Sequence, residues 1–186
     1  MKCYKLTDQN GQTYNNTQWG ENVSHSAYGE SGQELCSDGW IHFYTHPLLA
    51  ILLNPIHANF NSPRLWEAES SGDELHEPLK SGSRTLTTLK EIPLPKISLN
   101  QKVAFGILCA KEVCTDKGWN AWADKWLSGE DRTKESAYSA AYAAAAATAN
   151  YVAYYDTRVA YNAARAADAN KNSNFVEIVE KAMTYN

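Results

Sequence analysis

Alternation of apolar and polar residues predicts a sheet in the first half of the chain. Residues 2–7 and 40–44 predict two strands, and 65–69 and 85–92 predict two more. The dipeptide Asn10-Gly11 is typical of a hairpin turn, because both residues tolerate positive φ.

Three further segments complete the prediction for the first half. Residues 20–39 are rich in Gly, Ser, Asn and Asp and predict a loop. Pro47 can begin a short helix over 48–53, since a missing N–H costs nothing in a first turn. Asn100 can cap a helix that runs to about Val113.

The second half predicts only helices. No Gly or Pro occurs in the 57 residues after Gly129, and Ala, the strongest helix former, dominates them. A first helix over 116–127 stacks three tryptophans on one face, and 134–169 predicts a long Ala/Tyr-rich helix. A terminal helix begins at Phe175, with four residues facing inward: Phe175, Ile178, Val179 and Ala182. We therefore predict an α+β domain over 1–113 and a helical region over 115–186.

Composition excludes several classes of protein. The 186 residues carry 17 Lys and Arg against 21 Asp and Glu, a formal charge of −4. This balance argues against direct nucleic-acid binding, which favours a basic surface. No apolar run reaches the ~18 residues of a membrane span, and the start lacks an apolar leader. We expect a soluble cytoplasmic protein whose four cysteines are free thiols.

Acidic residues crowd the stretch from Leu6 to Leu79. It holds ten Asp or Glu and a single base, Arg64. One interpretation is a continuous acidic face that docks on a basic partner; the other is acids spread over several faces that only solvate the domain. The candidate binding residues of this face are Glu67, Glu69, Asp73 and Glu74.

Histidine chemistry offers a second candidate. His42 and His46 flank the predicted strand-to-helix corner, and paired His residues with a carboxylate can bind a metal. Pro47 prevents both from lying on one helix, and no Glu separates them, so we predict no metal and no cofactor.

An enzymatic alternative comes from a loose resemblance to ADP-ribosyltransferase-like domains. Trp40-Ile41-His42-Phe43 followed by a Glu-bearing strand resembles their order of strand, helix and glutamate. The resemblance implies weak catalytic candidates in His42, Glu67 and Glu69, and binding of NAD or a related nucleotide.

A stripe on the long predicted helix is the last candidate. Tyr151, Tyr154, Arg158, Tyr161 and Arg165 follow spacings of three and four and share one helix face. Alternating aromatic rings and guanidinium groups can stack a base and hold a phosphate. The same stripe can instead pack within the fold or between copies of the chain.

The order of motifs resembles a family of bacteriophage and prophage proteins without an assigned activity. The segment Cys36-Ser37-Asp38-Gly39-Trp40-Ile41-His42-Phe43 resembles the family's Cys-x-x-Gly-Phe-His-x-Cys, with Trp40-Ile41 where the family tends to have one Phe. The similarity covers about 1–113, and the Ala/Tyr-rich tail is also typical of phage proteins.

This resemblance implies a phage accessory protein in the cytoplasm of a bacterial host. Our principal hypothesis is a binding protein that inhibits a host protein, such as a component of a defence system. One alternative is the NAD-binding enzyme or sponge described above. The other is an assembly protein that forms homo-oligomers through the Ala-rich helix.

Overall fold

Antiparallel strands form the first part of the chain and helices the second, which confirms the predicted α+β class. The computed structural model describes residues 1–133, 135–136 and 173–186. It divides into a sheet unit, Met1–Lys96, and a helical unit, Ile97–Asn186. The division lies before the predicted boundary near residue 114, because the helix preceding that boundary packs with the terminal helix. The predicted long helix over 134–169 lies largely outside the described residues.

The sheet unit contains seven strands, two short α-helices and a 3-10 turn at Tyr14–Asn16. The helices are α1 (Pro47–Leu52) and α2 (Asn54–His57). The strands are β1 (Lys2–Thr7), β2 (Gln12–Thr13), β3 (Thr17–Gln18), β4 (Val23–Ser26), β5 (Ile41–Phe43), β6 (Arg64–His76) and β7 (Ser81–Ile92).

The strands are arranged around the long β6–β7 hairpin. The main sheet has the order β1-β6-β7-β4, with β5 paired to the beginning of β7. Tyr4 and Tyr44 then exchange two backbone hydrogen bonds of 2.8 and 2.9 Å. Because Tyr44 directly follows β5, this bridge closes β1, β6, β7 and β5 into a strand ring.

The inside of the strand ring carries the core of the sheet unit. Cys3, Phe43, Ala68 and Leu86 are fully buried there and pack with Trp19. Side chains alternate between the two faces of a strand, so Lys5 shares the inner face of β1 with Cys3. A lysine thus occupies a position where the pattern of the core calls for an apolar residue.

The β6–β7 hairpin is longer than its sequence predicts. The apolar alternation marks only 65–69 and 85–92, whereas the paired strands extend to His76 and back to Ser81. Register shifts after Glu67 and Ser71 accommodate extra residues, and Gly72 adopts φ +80° within the second. The extension is polar, so pairing with the neighbouring strand holds it rather than burial of an apolar face.

The predicted loop over 20–39 contains a strand and a clamped segment. β4 pairs with β7, with hydroxyl contacts such as Thr87 Oγ1 to Ser24 Oγ at 3.0 Å. The Arg84 guanidinium donates to the carbonyl oxygens of Gly29 and Gly39 at 2.5 and 2.6 Å. One half-buried cation thereby fixes both ends of the segment 29–39.

The helical unit contains α3 (Leu99–Lys111), α4 (Lys117–Ser128) and α5 (Phe175–Ala182). Ser98, rather than the predicted Asn100, caps α3, because Ser98 and Gln101 satisfy each other's backbone N–H groups. Asp116 caps α4, and Gly129 ends it at φ +82°. No described helix is long and apolar enough to cross a membrane.

The packing of the helical unit agrees with the sequence pattern. The four predicted inward residues of α5 are all buried, and Trp119 and Trp126 of α4 are buried at 6% exposure each. The Trp119 and Trp122 rings lie 5.8 Å apart. The predicted face of α5 is therefore confirmed, whereas on α4 the third tryptophan of the predicted stack, Trp122, is only half-buried.

Candidate functional site

The most unusual side chain of the sheet unit is Lys5. Its Nζ donates a 2.8 Å hydrogen bond to the His42 carbonyl oxygen and lies 5.0 Å from the centre of the Trp19 ring. Directly across the ladder stands Trp66, on the same face of the sheet. Lys5 is only 9% exposed, so its amine lies largely withdrawn from water between the Trp19 indole and a carbonyl group.

No carboxylate among the described residues contacts the Lys5 ammonium group. The partners of this ammonium group are a carbonyl oxygen and an aromatic ring, and neither carries a full negative charge. Burial disfavours the charged form and lowers the pKa of Lys5 to about 8. A substantial fraction of this amine is therefore neutral near physiological pH.

An open cleft of about 440 Å³ is lined by the same two indoles. The Arg64 guanidinium lies 4.7 Å from the centre of the Trp66 ring and binds Glu91 at 2.5 Å. Both indole N–H groups are satisfied internally, by Thr13 and Thr7 hydroxyls. The full lining is Trp19, Gly20, Glu21, Arg64, Trp66, Lys90 and Glu91.

A second group of titratable side chains surrounds His42. Its Nε2 donates to the Leu35 carbonyl oxygen at 2.6 Å, and burial lowers its pKa to about 4. The pKa of His57 is also lowered to about 4, mainly by burial. Its ring stacks on Tyr44 and bonds the phenol oxygen at 3.1 Å. Both imidazoles are consequently neutral at pH 7.

The predicted acidic residues of β6 lie in different environments. Glu67 accepts from Lys2 at 3.1 Å and pairs with Lys90 at 3.4 Å, and the hydrogen bond from Lys2 is the main cause of its lowered pKa. Glu69 shares that face and is exposed. Asp73 is exposed in the second register shift.

Glu74 lies on the other side of the strand. It accepts a 2.5 Å hydrogen bond from buried Ser70, whose side chain shares the face of Ala68, and it contacts His76 at 3.1 Å. The four predicted carboxylates therefore do not form one face of β6.

The candidate catalytic residues have separate partners. The His42 ring bonds the Leu35 carbonyl group, whereas Glu67 is held between two lysines and Glu69 forms no hydrogen bond or ion pair with a described side chain. The described contacts do not bring His42 together with either glutamate. Among the described residues, no group of three or more His, Cys, Asp or Glu side chains could hold a metal ion.

The candidate stripe on the long helix cannot be placed in this fold. All of its residues lie outside the described part of the chain: Tyr151, Tyr154, Arg158, Tyr161 and Arg165.

Comparisons with protein-family models, with curated proteins and with solved structures give no match to this chain. The features of the site therefore rest on the geometry of this molecule alone.

The sequence contained one signal for the buried lysine. On the inner face of β1, Lys5 follows Cys3 at the i+2 position and interrupts an otherwise buried row. The sequence pattern also overlooked Arg64 and Trp66 as neighbours in a cleft, because their partners come from distant segments. Glu91, the partner of Arg64, lies 27 residues further along the chain.

Charge is distributed unequally between the two units. The sheet unit holds seven Lys and Arg against eleven Asp and Glu, whereas the helical unit holds ten of each. Seven of the sheet unit's acids are exposed and form no ion pair with any described residue. They are Glu21, Glu30, Glu34, Asp38, Glu69, Asp73 and Glu77.

Proposed function

We propose that this protein is a phage-encoded accessory protein that binds a host protein and inhibits it. The observation that carries the proposal is the set of seven exposed, unpaired acids of the sheet unit. The sequence resemblance to phage proteins supports its origin in a phage and its site of action in the bacterial cytoplasm.

The physical argument concerns the partner's charge. Exposed carboxylates without a counter-ion keep a negative potential over the surface, and this potential speeds encounter with a basic partner and favours its correct orientation. The basic groups of the unit do not cancel this potential, since seven Lys and Arg stand against eleven Asp and Glu and leave a net charge of −4. We therefore expect a target with a basic surface.

The segment 29–39 provides three of the seven acids on a fixed backbone. Arg84 holds its ends, and Trp40 Nε1 donates to the Gly32 carbonyl oxygen at 3.1 Å. A segment that is already ordered loses less conformational entropy on binding. This arrangement supports binding by the sheet unit rather than by a segment that folds only on contact.

The first experiment is capture of host proteins from a bacterial lysate by the tagged protein, followed by mass spectrometry. We expect one stoichiometric host protein whose retention falls as salt rises from 0.05 to ~0.5 M, since salt screens exposed charges. A function assay of that protein then tests inhibition. An empty capture, or a captured protein whose activity is unchanged, would contradict the proposal.

A matched pair of variants sharpens the test. Glu69→Gln removes an unpaired acid, whereas Glu67→Gln removes an acid already paired with Lys2 and Lys90 on the same face of the same strand. We expect Glu69→Gln, combined with Asp73→Asn and Glu77→Gln, to weaken binding ~10-fold or more by loss of complementary charge. Glu67→Gln alone should leave binding within ~1.3-fold of the unmodified protein, below the ~2-fold or more per charge expected of the triple variant. Equal effects per charge would show that net charge, rather than these unpaired acids, governs binding.

A further inference from the structure

We infer that Cys36 and Lys80 form a peroxide-sensitive pair, in which the Lys80 amine captures the oxidised Cys36 sulfur as a covalent S–N bridge. Lys80 Nζ donates a hydrogen bond to Cys36 Sγ at 3.0 Å. The two residues are 44 positions apart in the chain, so the fold rather than the local sequence brings them together. This modification site is independent of the proposed function, because its test needs only the purified chain.

The first step of the argument is that neighbouring residues hold both members of the pair in place. Leu35, directly before Cys36, is buried at 1% exposure, and its carbonyl oxygen forms the 2.6 Å hydrogen bond with the His42 ring. Leu79, directly before Lys80, is buried at 4% exposure. The contact between sulfur and amine therefore joins two anchored segments.

The second step is the difference between Cys36 and the other cysteines. Exposed thiols beside a lysine or an arginine are the reactive ones in proteins, whereas buried structural thiols are inert. Cys3 and Cys109 are fully buried, and Cys114 is half-buried with no described amine at its sulfur. Among the described residues, Cys36 alone combines an exposed thiol with a neighbouring amine.

The third step is that no carboxylate competes for the Lys80 amine. Lys80 forms no ion pair with any described residue, and its amine contacts the sulfur instead. The sulfur of a sulfenic acid is an electrophile that condenses with a nearby nitrogen to a sulfenamide. An amine already held at hydrogen-bond distance captures this sulfur without a search through solvent.

The chemical steps balance with one molecule of hydrogen peroxide as the oxidant. The Cys36 sulfur attacks one peroxide oxygen, the O–O bond breaks, and the departing hydroxide leaves with the thiol proton as water. The sulfur is oxidised by two electrons to a sulfenic acid, and the peroxide is reduced. Lys80 then loses its ammonium proton to solvent, and its lone pair forms a bond to sulfur while the S–O bond breaks. The hydroxyl group leaves with one nitrogen proton as a second water, so the bridge is two hydrogen atoms lighter than the free thiol and amine.

The bridge changes the surface of the sheet unit reversibly. It ties the segment 29–39 to the turn between β6 and β7, and the bridged nitrogen no longer carries the positive charge of Lys80. A thiol reductant attacks the bridged sulfur and displaces the amine, which leaves a mixed disulfide. A second thiol then releases Cys36 as the free thiol.

The test is oxidation of the full chain with hydrogen peroxide, with and without dimedone, which labels sulfenic acids. Digestion and mass spectrometry identify the product at each cysteine. Without dimedone we expect crosslinked peptides that contain Cys36 and Lys80, are two hydrogen atoms lighter than the free peptides and are separated by a thiol reductant. Cys36 should be consumed at least ~10-fold faster than Cys114, the half-buried thiol without a described amine partner.

Lys80→Arg is the matched variant. A guanidinium group keeps the positive charge beside the sulfur, but it stays protonated and has no free lone pair to attack it. The variant should form no bridge, and dimedone labelling at Cys36 should rise at least ~5-fold because the sulfenic acid is no longer captured. Circular dichroism establishes that the variant is folded.

Three results would overturn the inference. If Cys36 is consumed no faster than Cys114, its position beside an amine gives it no special reactivity. Equal dimedone labelling of Cys36 in both proteins, without crosslinked peptides, would show that Lys80 does not capture the sulfur. A bridge that forms equally in urea would not depend on the fold.

Discussion

The two units of this protein use their polar residues for different purposes. In the helical unit, charged and amide groups complete the fold: Asp116 caps α4, and Arg132 binds the Trp126 and Asn186 carbonyl oxygens at 3.0 and 2.8 Å. In the sheet unit, many acids stay unpaired at the surface and an amine is buried without a counter-ion. Polar residues that do not stabilise the fold of their own unit are therefore the candidates for a role in function.

The tryptophans show the same contrast. Trp126 of the helical unit is buried beneath the Arg132 guanidinium at 4.7 Å, in a packed contact. Trp66 of the sheet unit is covered by Arg64 at the same distance, yet both of these residues line an open cleft. The same pair of residue types thus stabilises a helix end in one unit and borders a cavity in the other.

The largest expected effect tests whether the units are separate in stability. Phe43→Ala and Phe175→Ala each remove a fully buried ring, one from each unit. Each should lower the free energy of unfolding of its own unit by ~3–5 kcal/mol through loss of buried apolar area and the cavity left behind. Amide hydrogen exchange measures this separately in β1 and α5.

Unfolding of the two units as one would give a different pattern of amide exchange. If Phe43→Ala lowers protection in α5 as much as in β1, the two units unfold together, and the contrast between them does not extend to stability.

A smaller effect concerns pH, because all five histidines belong to the sheet unit. His42 and His57 stay neutral in the fold down to about pH 4, whereas the unfolded chain takes up these protons near pH 6.5. Stability of the sheet unit is therefore lost as the pH falls from 6.5 to 4. We expect ~2 kcal/mol for each ring, and no histidine-linked change in the helical unit.

Denaturant unfolding at several pH values, with amide exchange in each unit, measures this difference. His57→Gln should flatten the pH dependence of the sheet unit. A dependence that is unchanged in this variant would contradict the assignment to a buried neutral ring.

The smallest effects come from replacing a glycine by alanine, which should destabilise the sheet unit at one position and stabilise the helical unit at another. A Cβ at Gly82 would lie 2.5 Å from Leu35 Cδ1 and 2.9 Å from Trp40 Cβ, so Gly82→Ala should destabilise the sheet unit by ~1–2 kcal/mol. In the first turn of α4, Gly118→Ala should stabilise the helical unit by ~0.5 kcal/mol, since Ala loses less backbone entropy.

Thermal unfolding of the two glycine variants tests these signs. A neutral Gly82→Ala variant would show that Leu35 moves aside and that the segment 29–39 is less firmly packed than its contacts indicate.

Local signals in the sequence predicted the local features of the fold. β1, the turn at Asn10-Gly11, the helix starting at Pro47 and the buried face of α5 all follow from alternation, turn chemistry or helical spacing. The strand β4 was missed because its residues are mostly polar, and it exists through hydroxyl and backbone pairing with β7.

The candidate site was harder to predict because it joins distant segments. Lys5 meets Trp19, His42 and Trp66, which lie on three different parts of the chain. In the sequence, the only indication of this site was a lysine at an apolar position of an alternating strand. Which acids are paired could not be read from the sequence either, since Glu67 finds its lysines in β1 and β7.

The strand ring has a consequence for synthesis on the ribosome. β1 is made first, but its ladder partner β6 begins only at Arg64, and Tyr44 must also be present to close the ring. At ~5–20 residues per second, β1 waits roughly 3–12 s without its neighbour. An unpaired strand is prone to join another chain, and lysines within it oppose such pairing. Lys2 and Lys5 therefore keep the nascent strand soluble before one of them is enclosed by the finished ring.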